Sequence, residues 1–104
     1  MKTDEKTLQA FHRMWDCFPG MARLIDKQHM ILAANPVAEE HGHWPCLCCA
    51  KIGAPELHRG CLAKQTLSEQ QPQMDCPTGK SIRGWLPVTG NPDIFVHFSL
   101  KIPQ

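Results

Sequence analysis

The last part of the chain alternates between apolar and mixed positions with a period of two. This alternation predicts a strand over residues 93–102 with one fully apolar face, because successive side chains of a strand point to opposite sides of a sheet. The side chains on that face are Ile94, Val96, Phe98, Leu100 and Ile102. A second extended run, residues 81–88, precedes it across a loop at 89–92, so the two segments predict an antiparallel hairpin. Upstream segments have to cover the apolar face.

An amphipathic helix is predicted near the N-terminus. Thr3 or Asp4 can act as its N-cap, and Pro19 with Gly20 ends it near residue 18. Four apolar side chains recur at helical spacing and form one stripe: Leu8, Phe11, Trp15 and Phe18. Because burying each such side chain is worth about 1.5–3 kcal/mol, the stripe must dock on another surface. It either folds back in the same chain or packs with a second copy.

Short strands and short helices are predicted for the middle of the chain. Asn35 and Pro36 open one of these helices, since Asn is a favoured N-cap and Pro is favoured at the first helical position. The predicted elements are a strand at 21–25, a strand at 30–34, a helix from 36 to about 41, an irregular connection at 43–54, a helix from 55 to about 68 and a strand at 73–77.

The order of these elements predicts the fold class. A helix, two strands, short helices and three strands are typical of an α+β fold with a five-stranded antiparallel sheet. The short helices are expected on one face of the sheet, and the N-terminal helix is a separate element. A chain of 104 residues is long enough for one core. We therefore expect a single domain at 19–104, preceded by the helix at 1–18.

Composition and motifs exclude several classes of function. Hydrophobic residues make up 42% of the chain and charged residues 20%, and the net charge of +1 provides no field that would attract nucleic acid. No apolar run approaches the roughly 20 residues of a membrane span, and no signal peptide is recognisable, so we expect a cytoplasmic protein. Motifs for a nucleophile, a phosphate-binding loop or a catalytic zinc are missing from the sequence, so we expect no enzyme.

Two parts of the chain resemble a PAS sensory domain. Residues 22–42 read as a strand, a polar turn, a second strand and a short helix that begins after Asn35 and ends at Gly42. Residues 84–102 are similar to the last two strands of that family. The resemblance implies that the final strand lies beside the first in mid-sheet. It also implies a sensory or interaction module of signal transduction, which senses a small ligand or redox state and passes the signal to a partner or output domain.

Four of the six cysteines lie within sixteen residues, at Cys46, Cys48, Cys49 and Cys61. Without a secretory signal, such clustering indicates free thiols, a redox disulfide or a metal site rather than a structural disulfide framework. Three of these residues, Cys46, Cys49 and Cys61, have spacings that suit zinc or an iron–sulfur cluster. A metal- or iron–sulfur-binding redox protein is therefore the alternative function.

The cysteine spacing is similar to that of oxygen-sensing PAS kinases with a four-iron cluster, which have the pattern Cys-x2-Cys-x11-Cys-x2-Cys. The first three cysteines match, and Lys64 stands at the fourth position. A fourth ligand would have to be Cys48, Cys76, His43 or His58.

His58 has a separate role in the resemblance. The segment around it, residues 58–62, is similar to the one in which haem-binding PAS sensors place their proximal histidine. A neutral imidazole there could bind haem iron. The alternative is a histidine on a helix surface.

Aromatic side chains are also expected on the second face of the sheet. Trp85, Phe95 and His97 should share the face opposite the core. A large exposed aromatic surface is expected to be buried by another apolar surface, and the apolar stripe of the N-terminal helix is the candidate. We therefore expect a homodimer through the N-terminal helix and this outer sheet face, with simple surface exposure as the alternative.

Overall fold

The computed structural model describes residues 4–52 and 60–103 and contains a five-stranded antiparallel sheet. Its strands are β1 (Met21–Asp26), β2 (Ile31–Ala34), β3 (Gln73–Asp75), β4 (Ser81–Val88) and β5 (Asn91–Lys101). They lie in the order β2-β1-β5-β4-β3, so the last strand is central and pairs with β1 and β4. The predicted α+β fold, the five antiparallel strands and the central position of the last strand are confirmed.

The hairpin between β4 and β5 is tighter than predicted. Val88 pairs with Asn91, which leaves a two-residue connection instead of the expected loop at 89–92. Gly90 has a φ of +84° in this connection, a conformation that favours glycine. The register shifts between Pro87 and Val88, at a point where β3 no longer pairs with β4. The missing N–H of the proline is therefore tolerated at the end of the ladder.

The helices begin at the side-chain caps that the sequence predicts. Helix α1 (Glu5–Trp15) begins after Asp4, whose Oδ1 accepts a hydrogen bond of 2.8 Å from the backbone N–H of Thr7. Helix α2 (Pro36–Glu40) begins after Asn35. A 3-10 turn at Cys49–Lys51 lies within the predicted irregular connection. Within residues 4–52 and 60–103, no helix combines the length and apolarity needed to cross a bilayer.

The next helix, α3 (Ala63–Glu69), is shorter than the predicted one at 55–68. Residues 60–62 are not helical, and Gly60 has a φ of +68°, which a right-handed helix does not accommodate. Residues 55–59 of the predicted helix lie outside the described residues. The prediction that this helix runs through Gly60 is therefore wrong.

Both faces of the sheet are buried within one chain, whereas the face of Trp85 was predicted to be covered in a dimer or, alternatively, exposed. In the structure, the outer face is the one that α1 covers, and it is the opposite of the Trp85 face that was predicted to be outer. It is defined by Ala22, Leu24, Ile94 and Val96, which pack against Phe11 of α1. The inner face lies under α2 and α3 and has its own core, formed by Ile25, Ile31, Ala34, Ala38, Ala63, Trp85 and Phe95. The period of two correctly separates the two sets of side chains, but each set is covered by a different layer of helices.

Helix α1 docks on the sheet of its own chain. Phe11 is 4% exposed, the ring of Trp15 stacks on that of Phe98 at 6.0 Å, and the ring of Phe18 meets Phe98 edge-on at 5.6 Å. Of the two predicted ways to bury the apolar stripe, folding back in the same chain is the one observed. The stripe covers the face of Ile94, however, and not the face of Trp85.

The prediction that Trp85 and Phe95 form part of a dimer surface is wrong. Trp85 and Phe95 are 0% and 1% exposed and lie beneath the short helices, so they offer no surface to a second copy. A homodimer through the solvent side of α1 stays a prediction. The division into a helix at 1–18 and a domain at 19–104 also stays a prediction.

Candidate functional site

A cavity of about 340 Å³ lies between the inner face of the sheet and residues 41–52 and 61–63. This volume is at the small end of the roughly 300–1,000 Å³ typical of ligand pockets. The strands contribute one wall, and residues 41–52 and 61–63 contribute the other. The lining residues are Met21, Arg23, Ile25, His29, His41, His43, Cys49, Ile52, Cys61, Ala63, Arg83, Trp85, Phe95, His97 and Ser99. The lining is mostly apolar, with a few basic and polar groups.

Three polar side chains form a row across the floor of the cavity. Arg23 of β1 pairs with His97 of β5, and His97 pairs with Trp85 of β4. Directly opposed residues in an antiparallel sheet point to the same face, so the strand register brings all three side chains together. The row is therefore a product of two strand pairings and is invisible in any one segment of the sequence.

His97 is held in its neutral form. Its Nδ1 donates a hydrogen bond of 2.8 Å to the carbonyl oxygen of Gly84, and its ring stacks on that of Trp85 at 4.7 Å with 9° between the planes. Burial, followed by the charge of Arg23, lowers the pKa of His97 to about 3, although the bond to Gly84 acts in the opposite direction. At neutral pH, Nε2 of His97 is thus an acceptor that carries no proton.

Arg23 is a buried cation without an acidic partner in the described part of the chain. Its side chain is 6% exposed, and burial lowers the pKa of its guanidinium from the ordinary value. The Nη1 atom lies 3.2 Å from Nδ1 of His43, while Nε is buried and has no hydrogen-bond partner. Because arginine only donates, His43 must accept this bond through an unprotonated Nδ1. Among residues 4–52 and 60–103, no carboxylate forms an ion pair with Arg23.

A second guanidinium beside the cavity is neutralised. Arg83 binds the carboxylate of Asp75 in a fork, with Nε–Oδ1 and Nη2–Oδ2 distances of 2.8 and 2.6 Å. This side-chain hydrogen bonding to Asp75 raises the pKa of Arg83. The Arg83 guanidinium also lies 5.1 Å from the centre of the Trp85 ring, a cation–π distance. Among the described residues, Arg83 is therefore paired with an acid, whereas Arg23 is not.

Asn35 connects the layer above the cavity with the end of α1. Its Oδ1 accepts hydrogen bonds from the backbone N–H groups of Ala22 and Ala38, each at 3.0 Å. Its Nδ2 donates to the carbonyl oxygens of Trp15 at 3.0 Å and Gly20 at 2.9 Å. The sequence predicts only the helix cap at Ala38. The other three bonds arise because α1, β1 and α2 converge on this fully buried side chain.

The predicted metal ligands have different environments. Cys49 lines the cavity, and burial raises the pKa of its thiol to about 11 although Arg23 acts to lower it. Cys61 also lines the cavity but is exposed, and Cys46 is exposed with a φ of +73°. No three His, Cys, Asp or Glu side chains of the described ranges are placed to hold a metal ion. Metal binding by Cys46, Cys49 and Cys61 stays a prediction.

The architecture is similar to that of two solved structures. One is a sensory box sensor histidine kinase from Vibrio cholerae, with a TM-score of 0.65, 10% identity and coverage of 94% of this chain and 91% of that chain. This chain has a PAS-like fold. The other is a domain of an HTR-like protein from Haloarcula marismortui ATCC 43049, with a TM-score of 0.61, 20% identity and coverage of 82% and 99%. No protein family model and no curated protein sequence matches the chain.

In this PAS-like fold, several residues singled out in the sequence lie elsewhere than predicted or outside the described residues. His58, the predicted haem ligand, lies outside the described residues, so haem binding stays a prediction. His97 and Trp85 were expected on an outer surface and instead line the cavity. Arg23 was missed. Its signal in the sequence is a single charge between Ala22 and Leu24, in a strand that is otherwise apolar up to residue 25.

Proposed function

We propose that this chain is a sensory module of signal transduction with a regulatory rather than a catalytic role. A small molecule binds the cavity, and binding changes how α1 meets a partner or an attached output domain. The observation that carries the proposal is the position of α1, which packs on the outer face of the same strands that line the cavity.

Strands β1 and β5 link the two sides of the sheet. On β5, Phe95 and His97 face the cavity, while Val96 packs in the core beneath α1. On β1, Arg23 faces the cavity and Leu24 faces α1 in the same way. Because packed interiors are dense, a shift of either strand on ligand binding must be accommodated in both layers.

The hydrogen bonds of Asn35 provide a second link. This side chain joins α2, which borders the cavity, to the carbonyl group of Trp15 at the end of α1. Both contacts belong to one amide group, so the two helices keep a fixed geometry only while that group stays in place. The solvent side of α1 carries Met14, which is 75% exposed, and this side is our candidate surface for the partner.

The similarity to a sensory box of a histidine kinase supports a sensor in the general sense. The cavity supports a small-molecule signal, because its volume and mainly apolar lining are those of a ligand pocket. A second copy of the chain is one candidate partner. Sedimentation of the full chain at high micromolar concentration tests it, and a monomer under those conditions would exclude the homodimer.

The coupling is tested by hydrogen exchange with neutral probes that suit an apolar cavity, benzyl alcohol and indole. We expect a bound probe to change the exchange rates of amides in α1 as well as those around the cavity. Ala63→Leu should abolish both effects, because Ala63 is 3% exposed and lines the cavity. Gln65→Leu is the matched control, since Gln65 is exposed on the same helix. Changes confined to the cavity, or equal in both variants, would contradict the proposal.

A further inference from the structure

We propose that the ligand is a small molecule with a carboxylate on an apolar body, and that Arg23 binds the carboxylate. This inference rests on the proposed function, because it names the chemical class of the molecule that occupies the same cavity.

The charge of Arg23 is the first step. A buried charge is costly unless it is paired with an opposite charge and fully hydrogen-bonded. Arg23 is 6% exposed, its Nη1 contacts Nδ1 of His43, and its buried Nε has no partner. The described residues thus leave one positive charge in the cavity uncompensated, and an anionic ligand would complete the pair.

Arg83 provides an internal comparison. The fold neutralises that guanidinium with a bidentate carboxylate, that of Asp75. The same forked geometry is the preferred one for arginine and a carboxylate group in general. At Arg23, the edge that includes Nε is the one not engaged by His43. A ligand carboxylate on Arg23 would supply the negative charge that Asp75 supplies to Arg83.

The described residues near Arg23 supply no negative charge that is free to pair with it. His97 is neutral, and the half-buried thiol of Cys49 has a raised pKa and keeps its proton at neutral pH. Asp75, the nearby acid, is already bound to Arg83. One uncompensated positive charge is matched by a monoanion, which favours a carboxylate over a phosphate dianion.

The remaining walls define the body of the ligand. Ile25, Phe95 and Trp85 supply apolar surface, and the cavity of about 340 Å³ accommodates a small ring or a short chain. The indole Nε1 of Trp85 is a second buried donor without a hydrogen-bond partner.

Calorimetric titration of the full chain with matched probes tests the inference. Benzoate supplies a carboxylate on a ring, and benzyl alcohol supplies a neutral analogue of similar shape. We expect the parent protein to bind benzoate more tightly than benzyl alcohol. Arg23→Met should lower the affinity for benzoate at least about tenfold and change the affinity for benzyl alcohol less than about threefold, as expected for loss of a charge-assisted contact. Lys27→Met, which removes an exposed lysine, should leave both affinities unchanged.

Thermal unfolding without ligand provides a second readout. Removing an unpaired buried charge should raise the midpoint in Arg23→Met. Added benzoate should raise the midpoint of the parent but not that of the variant. A lower midpoint in the variant, together with benzoate affinity equal to that of the parent, would show that Arg23 is a structural residue and would overturn the inference.

The outcomes separate this inference from the proposed function. If benzyl alcohol binds and benzoate does not, the ligand class is wrong while a small-molecule sensor stands. If neither probe, nor indole, enters the cavity, the proposed function itself fails. Glu56 is the one carboxylate between residues 53 and 59, which lie outside the described ranges. If Glu56→Gln binds benzoate and the parent protein does not, Glu56 is the counterion of Arg23 and the inference is overturned.

Discussion

Replacement of Asn35 by alanine should be among the most destabilising polar substitutions in this chain. The variant loses two acceptor bonds, from Ala22 and Ala38, and two donor bonds, to Trp15 and Gly20. Each buried backbone group left unpaired costs about 1–3 kcal/mol, and a water molecule that enters the space can replace part of the loss. We therefore expect a loss of about 3–5 kcal/mol in the free energy of unfolding.

Urea unfolding followed by circular dichroism measures this loss, and Asp4→Ala is the matched control. Asp4 is also a helix N-cap, but it is exposed and its side chain makes one cap bond, to Thr7. Loss of such a cap typically costs about 1 kcal/mol. The difference between the two variants is the tertiary contribution of Asn35. An Asn35→Ala variant no less stable than Asp4→Ala would refute the reasoning.

Asn35→Asp separates the donor bonds from the acceptor bonds. A carboxyl group keeps the two acceptor contacts, but when ionised it faces the carbonyl oxygens of Trp15 and Gly20 without a proton to donate. Burial should raise the folded-state pKa of the introduced carboxyl above its unfolded value of about 4. The variant should therefore be closest to the parent at low pH and lose stability, relative to the parent, as the pH rises through the folded-state pKa. A difference independent of pH would contradict this account.

Three further predictions concern the outer face, the cavity and the cysteines. A Cβ at Gly84 would overlap the ring of Phe98, so Gly84→Ala should cost about 1–3 kcal/mol in denaturant melts, and much less in a Phe98→Ala background. The folded-state pKa of His97 is about 3 against an ordinary 6.5, so its contribution to the free energy of unfolding is fully present above about pH 6.5 and is lost as the pH falls. Between pH 7 and pH 5 the parent should therefore lose about 2 kcal/mol more than His97→Gln, and equal losses in the two proteins would disprove this. If protein purified without air binds metal, Cys61→Ser should lower its metal content and exposed Cys17→Ser should not; equal content in both would rule out the cysteine site.

Local patterns in the sequence determined most of the elements. The alternation over residues 93–102 predicts β5, because side-chain direction in a strand depends only on position along the chain. Asp4 and Asn35 mark the starts of α1 and α2, because a cap bond reaches only three residues ahead. The helix predicted through Gly60 failed because helical spacing of apolar residues does not report a backbone with positive φ.

Only the tertiary structure decided which layer covers each face of the sheet. The period of two sorts Phe95 and His97 from Val96 and Phe98, but it is symmetric and does not say which set lies under α1. Strand register decided the row of Arg23, His97 and Trp85, because these residues come from three separate strands. The sequence by itself therefore determined the strands, the caps and the class of fold. The cavity and the burial of Arg23 in it depend on long-range packing.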